Sequence, residues 1–347
     1  MRIKACALAC ALLWASTCSA GVIQVVTVHG SQYAGLDYRA TLLSRDGSTV
    51  AGTEGHGQSA MPFRWTKATG LVNLGDLNSY DPAQDITTPY GISADGKAIV
   101  GYDKSGPYRG FTWDVVNGLQ PFGRAVQTDQ DMLPLGLSGD GSTVVGHSYD
   151  VGGAFRWTAA GGFESLGLPH SLPSLVSHDG STVIVGNDRW RNGTLSKLPV
   201  QGTVTAMSDD ASVLVGSDNG AAYHYARGQF SIMGVGLNPL ATTSDGSLVL
   251  GNNWLWDANN GRRDLLAVLS AEVDLSPWSW ISAVALSGDG KHFLLDGYRD
   301  DRGEDVYESL LVSLDRSAVP AAVVPEPATW LAWAVLGMAF WGWRRRA

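Results

Sequence analysis

Cysteine is scarce in this sequence of 347 residues, and the three that occur, Cys6, Cys10 and Cys18, all lie near its N-terminus. The rest of the chain therefore has no thiol with which to form a disulfide bond or a cysteine-ligated zinc site. Long apolar runs are also rare away from the two termini, whereas 43 glycines are spread along the chain. This composition favours strands and tight turns over helices.

Positive charge is in short supply as well. Lys and Arg together number 24 against 33 for Asp and Glu, which gives a formal net charge of −9. Five of the basic residues lie at the extreme ends of the chain, and without them the net charge is about −14. Because nucleic-acid binding needs clustered Lys and Arg side chains to contact phosphates, the composition argues against a nucleic-acid partner.

The motifs of several common enzyme classes are missing. The seven histidines form no His-Glu-x-x-His zinc motif, and the sequence has neither a Gly-x-Ser-x-Gly elbow nor a Gly-x-x-x-x-Gly-Lys phosphate loop. The sequence therefore predicts a protein without catalytic activity and without a cofactor. One enzymatic alternative stays open, which is a hydrolase or lyase that acts on polysaccharide through carboxylates brought together by the fold.

The N-terminus has the composition of a secretory signal. Residues 1–20 begin with a basic region, continue with an apolar stretch over 5–14 and end in small residues. We expect export by the Sec route, with cleavage by signal peptidase between Ala20 and Gly21.

The body of the chain contains a repeated motif, of which "GLSGDGSTVVG" is a typical copy. In each copy, Asp-Gly favours a tight turn and the β-branched run after it favours a returning strand. The aligned serines of the seven copies are Ser44, Ser93, Ser138, Ser177, Ser208, Ser244 and Ser287. Their average spacing of about 40 residues matches the length of one blade in a β-propeller.

A strand of alternating aromatic residues follows most copies, as in "AFRWT", and a glycine turn then leads to a fourth strand. The sequence therefore predicts an all-β fold, a seven-bladed β-propeller of four-stranded antiparallel blades over residues 21–318. The recurring tryptophans are expected to fill the space between blades. These tryptophans are Trp65, Trp113, Trp157 and Trp256.

The last copy accounts for only three strands before the chain enters its C-terminal segment. The strand at 22–28, on the other hand, precedes the first copy and has no blade of its own. We expect this strand to pair with the third strand of the seventh blade, because that pairing closes the ring and leaves no blade with an open edge.

Two groups of residues stand out as candidates for ligand binding. Trp278 and Trp280 lie between the sixth and seventh copies, where they either stack on sugar rings or a partner protein or pack against a blade edge. An acidic run offers oxygen ligands for Ca²⁺, with a solvated loop as the alternative. It contains Asp300, Asp301, Glu304 and Asp305. The aspartates of the repeated turns are expected to form the turns rather than to bind metal.

The C-terminal segment, residues 319–347, combines three features in a fixed order. A Pro-Glu-Pro motif precedes an apolar run over 328–343, and a cluster of arginines ends the chain. The run spans about 24 Å as a helix, and the arginines favour the cytoplasmic side, so we expect it to cross the inner membrane with its N-terminal end outside. The motif residues are Val324, Pro325, Glu326, Pro327, Arg344, Arg345 and Arg346.

This arrangement resembles the PEP-CTERM sorting signal of Gram-negative bacteria. The resemblance implies recognition by an exosortase in the inner membrane, followed by removal of the helix and the arginines. It also implies a final location at the cell surface or outside the cell, in organisms that make exopolysaccharide and biofilm.

The repeats over residues 40–315 resemble the HAF repeats of extracellular proteins, a resemblance that brings no enzymatic activity with it. We therefore expect a non-catalytic binding or scaffold module with an exopolysaccharide or a surface protein as its ligand. The polysaccharide-acting enzyme and a purely structural matrix component are the alternatives.

Overall fold

The strands form seven separate four-stranded antiparallel sheets, which are the blades of a β-propeller. The structure is a computed structural model. It describes residues 22–28, 37–56, 59–77, 86–103, 109–122, 132–148, 152–168, 174–301 and 304–314. The predicted signal peptide and the predicted sorting segment, with Ala20, Gly21, the Pro-Glu-Pro motif and the terminal arginines, lie outside these residues.

Strand β1 (Val22–Thr27) precedes the first blade, and each of the next six blades takes four consecutive strands. Blades 1 to 3 contain β2 (Asp37–Leu43), β3 (Thr49–His56), β4 (Ser59–Thr66), β5 (Gly70–Asn73), β6 (Thr87–Ile92), β7 (Ala98–Asp103), β8 (Arg109–Asp114), β9 (Gly118–Pro121), β10 (Met132–Leu137), β11 (Thr143–Ser148), β12 (Gly153–Thr158) and β13 (Gly162–Ser165). Blades 4 to 6 contain β14 (Ser174–Val176), β15 (Thr182–Val185), β16 (Asp188–Arg191), β17 (Thr194–Lys197), β18 (Thr203–Met207), β19 (Val213–Asp218), β20 (Ala221–Ala226), β21 (Gln229–Val235), β22 (Pro239–Thr242), β23 (Leu248–Gly251), β24 (Trp254–Asp257) and β25 (Gly261–Asp264). Blade 7 follows the short helix α1 (Leu265–Ser270) and contains β26 (Trp278–Leu286), β27 (His292–Asp301) and β28 (Glu304–Leu314).

The ring closes as the sequence predicted. Strand β1 pairs antiparallel with β28, with Val25 opposite Val312, so that blade 7 has the strand order β1, β28, β27, β26. The backbone groups at the edge of β28 are thereby paired, and the two ends of the propeller are joined through one sheet.

The repeated turn between the first and second strands of each blade is held by three hydrogen bonds. In blade 3, the Ser138 hydroxyl donates to Asp140 at 2.6 Å, while its oxygen accepts the Thr143 N–H at 2.9 Å. The same carboxylate accepts the backbone N–H of Ser142 at 2.9 Å. The hydroxyl-to-aspartate bond recurs in all seven blades, so the turn-forming role predicted for these aspartates is confirmed.

The alignment of the sixth copy was wrong by one residue. The hydroxyl that bonds to Asp245 and accepts the Leu248 N–H belongs to Thr243, and Ser244 takes the next position of the turn. A threonine hydroxyl makes the same bonds as serine, and the adjacent serine concealed the substitution in the sequence.

One residue of each turn also joins the blades to one another. The residue after the serine, or the aspartate that follows it, donates its backbone N–H to the turn of the next blade, with N–O distances of 2.7 to 3.0 Å. Seven such bonds form a complete circle, from Asp46 to Ala94 and onward to the bond from Gly288 to Arg45. These turns therefore surround one mouth of the central channel. Because the blades are antiparallel, the hairpins between second and third strands lie on the opposite face.

The hydrophobic core is divided among the interfaces between blades. The described residues include seven apolar clusters of buried side chains, and each cluster draws on two adjacent blades. The aromatic strands supply fully buried rings such as Phe63, Phe111 and Phe155. The recurring tryptophans lie in or against these clusters, as predicted, and Trp65 and Trp256 are buried.

Candidate functional site

Blade 7 departs from the other blades in the length of its strands. Strands β26, β27 and β28 have 9, 10 and 11 residues, whereas the first three strands of blade 3 have 6 each. Strand β26 begins at Trp278, so both Trp278 and Trp280 belong to the first strand of this blade. The prediction that they lie between two copies of the repeat was wrong, because this strand extends further from its turn than its counterparts do.

Three aromatic rings lie side by side across these strands. Tyr298 is paired with Trp280 on one side and with Tyr307 on the other, and directly opposed residues point to the same face of a sheet. The ring centroids of Trp280 and Tyr298 are 6.0 Å apart, and those of Tyr298 and Tyr307 are 5.2 Å apart. Trp280 is 51% exposed and Tyr298 is 41% exposed. We call these three residues the aromatic shelf.

A cavity of about 640 Å³ adjoins the shelf, between α1 and the start of β26. Trp278 and Trp280 form part of its wall, together with the polar residues Glu272, Asp274 and Ser279. Hydrogen bonds from Ser276 lower the pKa of Asp274, which keeps this carboxylate charged. The mixture of aromatic faces, hydroxyls and carboxylates is typical of a site that binds a polar ligand with apolar ring faces.

The two tryptophans differ in their surroundings. Trp278 is partly buried and packs against the apolar cluster between blades 6 and 7, whereas Trp280 projects half of its surface into solvent. A bulge in the pairing of β26 with β27 lies between them. Trp280 is consequently the better placed of the two for contact with a ligand, and ligand stacking by either residue stays a prediction.

A buried network of hydrogen bonds holds the Tyr307 side chain of the shelf in place. Tyr307 donates its hydroxyl to Asp296 at 2.6 Å, and Ser309 donates to the other oxygen of the same carboxylate at 2.6 Å. Burial raises the pKa of Asp296, and burial together with this carboxylate raises the pKa of Tyr307. A bidentate ion pair links β27 to β28 nearby, in which Nε and Nη2 of Arg299 each donate to a carboxylate oxygen of Glu308 at 3.0 Å. The tyrosine ring is therefore held in place before any ligand arrives.

The acidic run forms the tip of the β27 and β28 hairpin. The backbone register places Asp300 opposite Asp305 and Asp301 opposite Glu304, while their side chains lie outside the described part of the structure. Within the described part, no group of three or more His, Cys, Asp or Glu residues is arranged to hold a metal ion. Calcium binding at this tip stays a prediction.

The mouth of the channel on the face of the repeated turns is crossed by an ion pair. Arg45 of blade 1 donates from Nε to Asp209 of blade 5 at 2.9 Å and from Nη1 to the Thr242 carbonyl of blade 6 at 2.6 Å. His178 of blade 4 lies 4.0 Å from the same carboxylate. None of these blades is a neighbour of blade 1, so the arginine spans the opening. The carboxylate of Asp209 is thus paired with a cation from a distant blade.

Sequence reasoning missed the tyrosines of the shelf and the pairing of Arg45 with Asp209. The tyrosines had a signal in "YRDDRGEDVY", where Tyr298 and Tyr307 stand at equal distances from the centre of a hairpin. The ion pair had none, because it joins residues 164 positions apart through the geometry of the ring.

Comparison with known proteins gives one match to a family model and several to solved structures. The structure of U3-55K aligns with 85% of this chain and with 100% of its own chain. The sequence identity is 13% and the TM-score is 0.48. The β-propeller domain of Myceliophteria thermophila Cps50 (Swd1) aligns with 83% of this chain and with 99% of its own chain. The sequence identity is 10% and the TM-score is 0.47. Likeness of this degree carries no argument about function. No curated protein matches the chain.

The family match concerns the C-terminal segment. Residues 323–346 match the PEP-CTERM protein-sorting motif, which confirms the interpretation of the Pro-Glu-Pro motif, the apolar run and the arginines. Among the described residues, none of the helical structure is long and apolar enough to cross a membrane, and the predicted helix over 328–343 is not among those residues. The chain is therefore a β-propeller that carries a PEP-CTERM motif, the mark of an exported protein sorted by an exosortase.

Proposed function

We propose that this protein is a non-catalytic binding module that holds exopolysaccharide at the aromatic shelf of blade 7. The observation that carries the proposal is the exposure of Trp280 and Tyr298 side by side at the edge of a cavity. Trp and Tyr combine a large apolar face with a polar group, and they dominate the binding energy of many interfaces. A pyranose ring presents both an apolar face and hydroxyl groups, so it suits this combination.

The rigidity of the shelf supports binding by a preformed surface. The ring of Tyr307 is anchored through Asp296, and Tyr298 is paired with a neighbour on each side within a continuous sheet. Since these side chains are already ordered, little conformational entropy is lost when a ligand binds. A long polymer also engages several copies of the protein at once, so that modest affinity at each shelf is sufficient.

The sorting motif supports the route by which the protein reaches its ligand. Signal peptidase and the Sec machinery act first, and the C-terminal helix then holds the chain in the inner membrane with its N-terminal side outside. An exosortase then acts at the Pro-Glu-Pro motif, and the propeller is retained at the cell surface or in the matrix.

The test is a binding screen of the processed protein against neutral and acidic exopolysaccharides, with analysis of the polymer after each hit. Saturable binding that leaves the polymer intact is the expected result. New reducing ends or unsaturated sugars would overturn the proposal in favour of a hydrolase or lyase. Concentration-dependent assembly without saturable binding, or binding only to a surface protein, would replace it with a structural or protein-binding role.

A further inference from the structure

Within the described part of the chain, three pairs of adjacent blades share a contact that we call the blade clamp. A basic residue in the third strand of one blade bonds to a turn carbonyl of the next blade and lies over an aromatic ring there. Arg64 donates from Nε to the Gly96 carbonyl at 2.8 Å, and its guanidinium is 5.6 Å from the centre of the Trp113 ring. Arg156 makes the same contacts with Gly180 and Trp190.

A histidine makes the third clamp. His224 of blade 5 lies 2.9 Å from the Gly246 carbonyl of blade 6, and its ring is 4.9 Å from that of Trp256. The recurrence of one arrangement with either Arg or His shows that the position serves the interface between blades.

Blade 4 has an arginine at this position, Arg189, but no clamp contact is found for it among the residues that the structure describes. Arg189 is opposite Ile184 in the sheet, as Arg156 is opposite Val145. Its Nε donates to Ser196 of its own blade at 3.3 Å. The next blade presents Tyr225 where five other blades have tryptophan and blade 7 has Val312, and it has Ala211 where the others have the turn glycine.

A cavity of about 470 Å³ occupies the place of the missing clamp between blades 4 and 5. Arg189 and Arg191 line one side, and Asp210, Ser212 and Tyr225 line the other. This volume falls within the usual range for sites that bind small ligands. Among the described residues, neither arginine has a carboxylate partner, although Asp210 lies in the same cavity.

The charges in the cavity suit a ligand with one negative charge. Arg189 and Arg191 supply two positive charges, while hydrogen bonds from Ser208 and Ser212 lower the pKa of Asp210 and keep it ionised. The balance of about +1 matches a carboxylate better than a doubly charged phosphate. The planar guanidinium also forms two parallel hydrogen bonds with a carboxylate.

We propose that this cavity, formed by Arg189, Arg191 and Tyr225, binds the carboxylate of a uronic-acid sugar. The arginines hold the carboxylate, the ring of Tyr225 packs against the sugar, and Asp210 accepts a sugar hydroxyl. The cavity lies among the repeated turns, on the face opposite the aromatic shelf, so it constitutes a second site. The anion chemistry stands on its own, whereas the choice of a sugar as its carrier rests on the proposed function.

The test compares the processed protein with the variants Arg191→Gln and Arg189→Gln/Arg191→Gln by titration calorimetry at low ionic strength. Arg227→Gln is the matched control, because Arg227 is an exposed arginine of a turn on the same face and does not line the cavity. The probes are a trimer of galacturonic acid, a neutral trimer of galactose, inorganic phosphate and a glutamate-rich peptide.

We expect the galacturonate trimer to bind the wild type and the control equally, and the double variant at least tenfold more weakly. Arg191→Gln, a change at an exposed side chain, should give an intermediate loss without a change in thermal unfolding. Equal affinity in the double variant, or no uronate binding by the wild type, would overturn the proposal. Tighter binding of phosphate or of the peptide would overturn the assignment to a sugar.

The variant Trp280→Ala separates this site from the shelf. Uronate binding that survives Trp280→Ala supports the second site, even where the shelf binds no polymer at all. A loss of uronate binding in Trp280→Ala, with none in the double arginine variant, would place the anion at the shelf and refute the cavity.

Discussion

Replacing Trp280 with alanine should weaken polysaccharide binding at the aromatic shelf by a factor of about 10 to 70. A tryptophan side chain offers about 150–250 Å² of surface, and half of that of Trp280 is exposed. The area available to a ligand is therefore roughly 100 Å², which at about 25 cal/mol per Å² is worth about 2.5 kcal/mol. That free energy corresponds to a change of about 70-fold in Kd. Tenfold is the lower bound, because buried area converts to affinity incompletely.

The assay is the Kd for a neutral polysaccharide identified in the screen, measured for the wild type, Trp280→Ala and Trp280→Phe. Phe should restore part of the affinity, because it retains an aromatic face of smaller area. Ile232→Ala, which removes an exposed apolar side chain from blade 5, is the control for a general loss of surface. A change of less than about threefold in Trp280→Ala, with unfolding by denaturant unaltered, would refute the shelf as the binding surface.

Three further predictions concern the stability of the propeller. Deletion of residues 21–30 removes β1 and leaves the edge of β28 without its partner, so we expect aggregation or loss of cooperative unfolding in calorimetry; a monomeric, cooperatively folded deletion variant would contradict the closure. Ser177→Ala leaves the buried Thr182 N–H without its acceptor, and we expect a loss of about 1–3 kcal/mol in the free energy of unfolding. A loss below about 0.5 kcal/mol, the size expected for a surface substitution, would show that the hydrogen bonds of the repeated turn do not stabilise the propeller. Hydrogen bonds lower the pKa of Asp95 and of Asp179 to about 2, so the stability that these carboxylates contribute is complete above pH 4 and is lost as the pH falls toward 2. In urea unfolding, the free energy of unfolding of the variant Asp95→Asn/Asp179→Asn should therefore decline less steeply over this interval than that of the wild type. An equal decline in both proteins would show that these two groups do not cause the loss of stability in acid.

The number of blades and the closure of the ring were predictable because the information is local. Each copy of the repeat specifies its own turn through one hydroxyl and one carboxylate, such as Ser138 and Asp140. The number of turns gives the number of blades. The strand at 22–28 has no turn of its own, and blade 7 is the one blade that lacks a fourth strand, so the two were predicted to pair. The error at Ser244 changed neither result, because the turn of blade 6 is present in either alignment and only the residue that supplies its hydroxyl differs.

The candidate sites were less predictable because they depend on contacts between distant residues. The shelf forms only when three neighbouring strands of blade 7 pair in the right register, and Trp280 was identified without its partners Tyr298 and Tyr307. The cavity of Arg189 and Arg191 is visible only when the blade clamps of the other blades are known. In the sequence, both arginines lie in the segment "DRWRNG", which contains no recognised ligand-binding motif.

Departures from the repeat indicate where function lies in this fold. A residue that makes the same contact in every blade, as the turn serines and aspartates do, serves the fold first, and its recurrence does not mark one blade as a binding site. Blade 7 exceeds the repeat by several residues per strand, and the extra length carries the exposed rings of Trp280 and Tyr298. Blade 4 keeps the arginine of the clamp but meets a smaller ring, so the guanidinium faces a cavity instead of a neighbour. At both candidate sites, the exposed rings of the shelf and the two arginines of the cavity are held in position by the scaffold without making its repeated contacts.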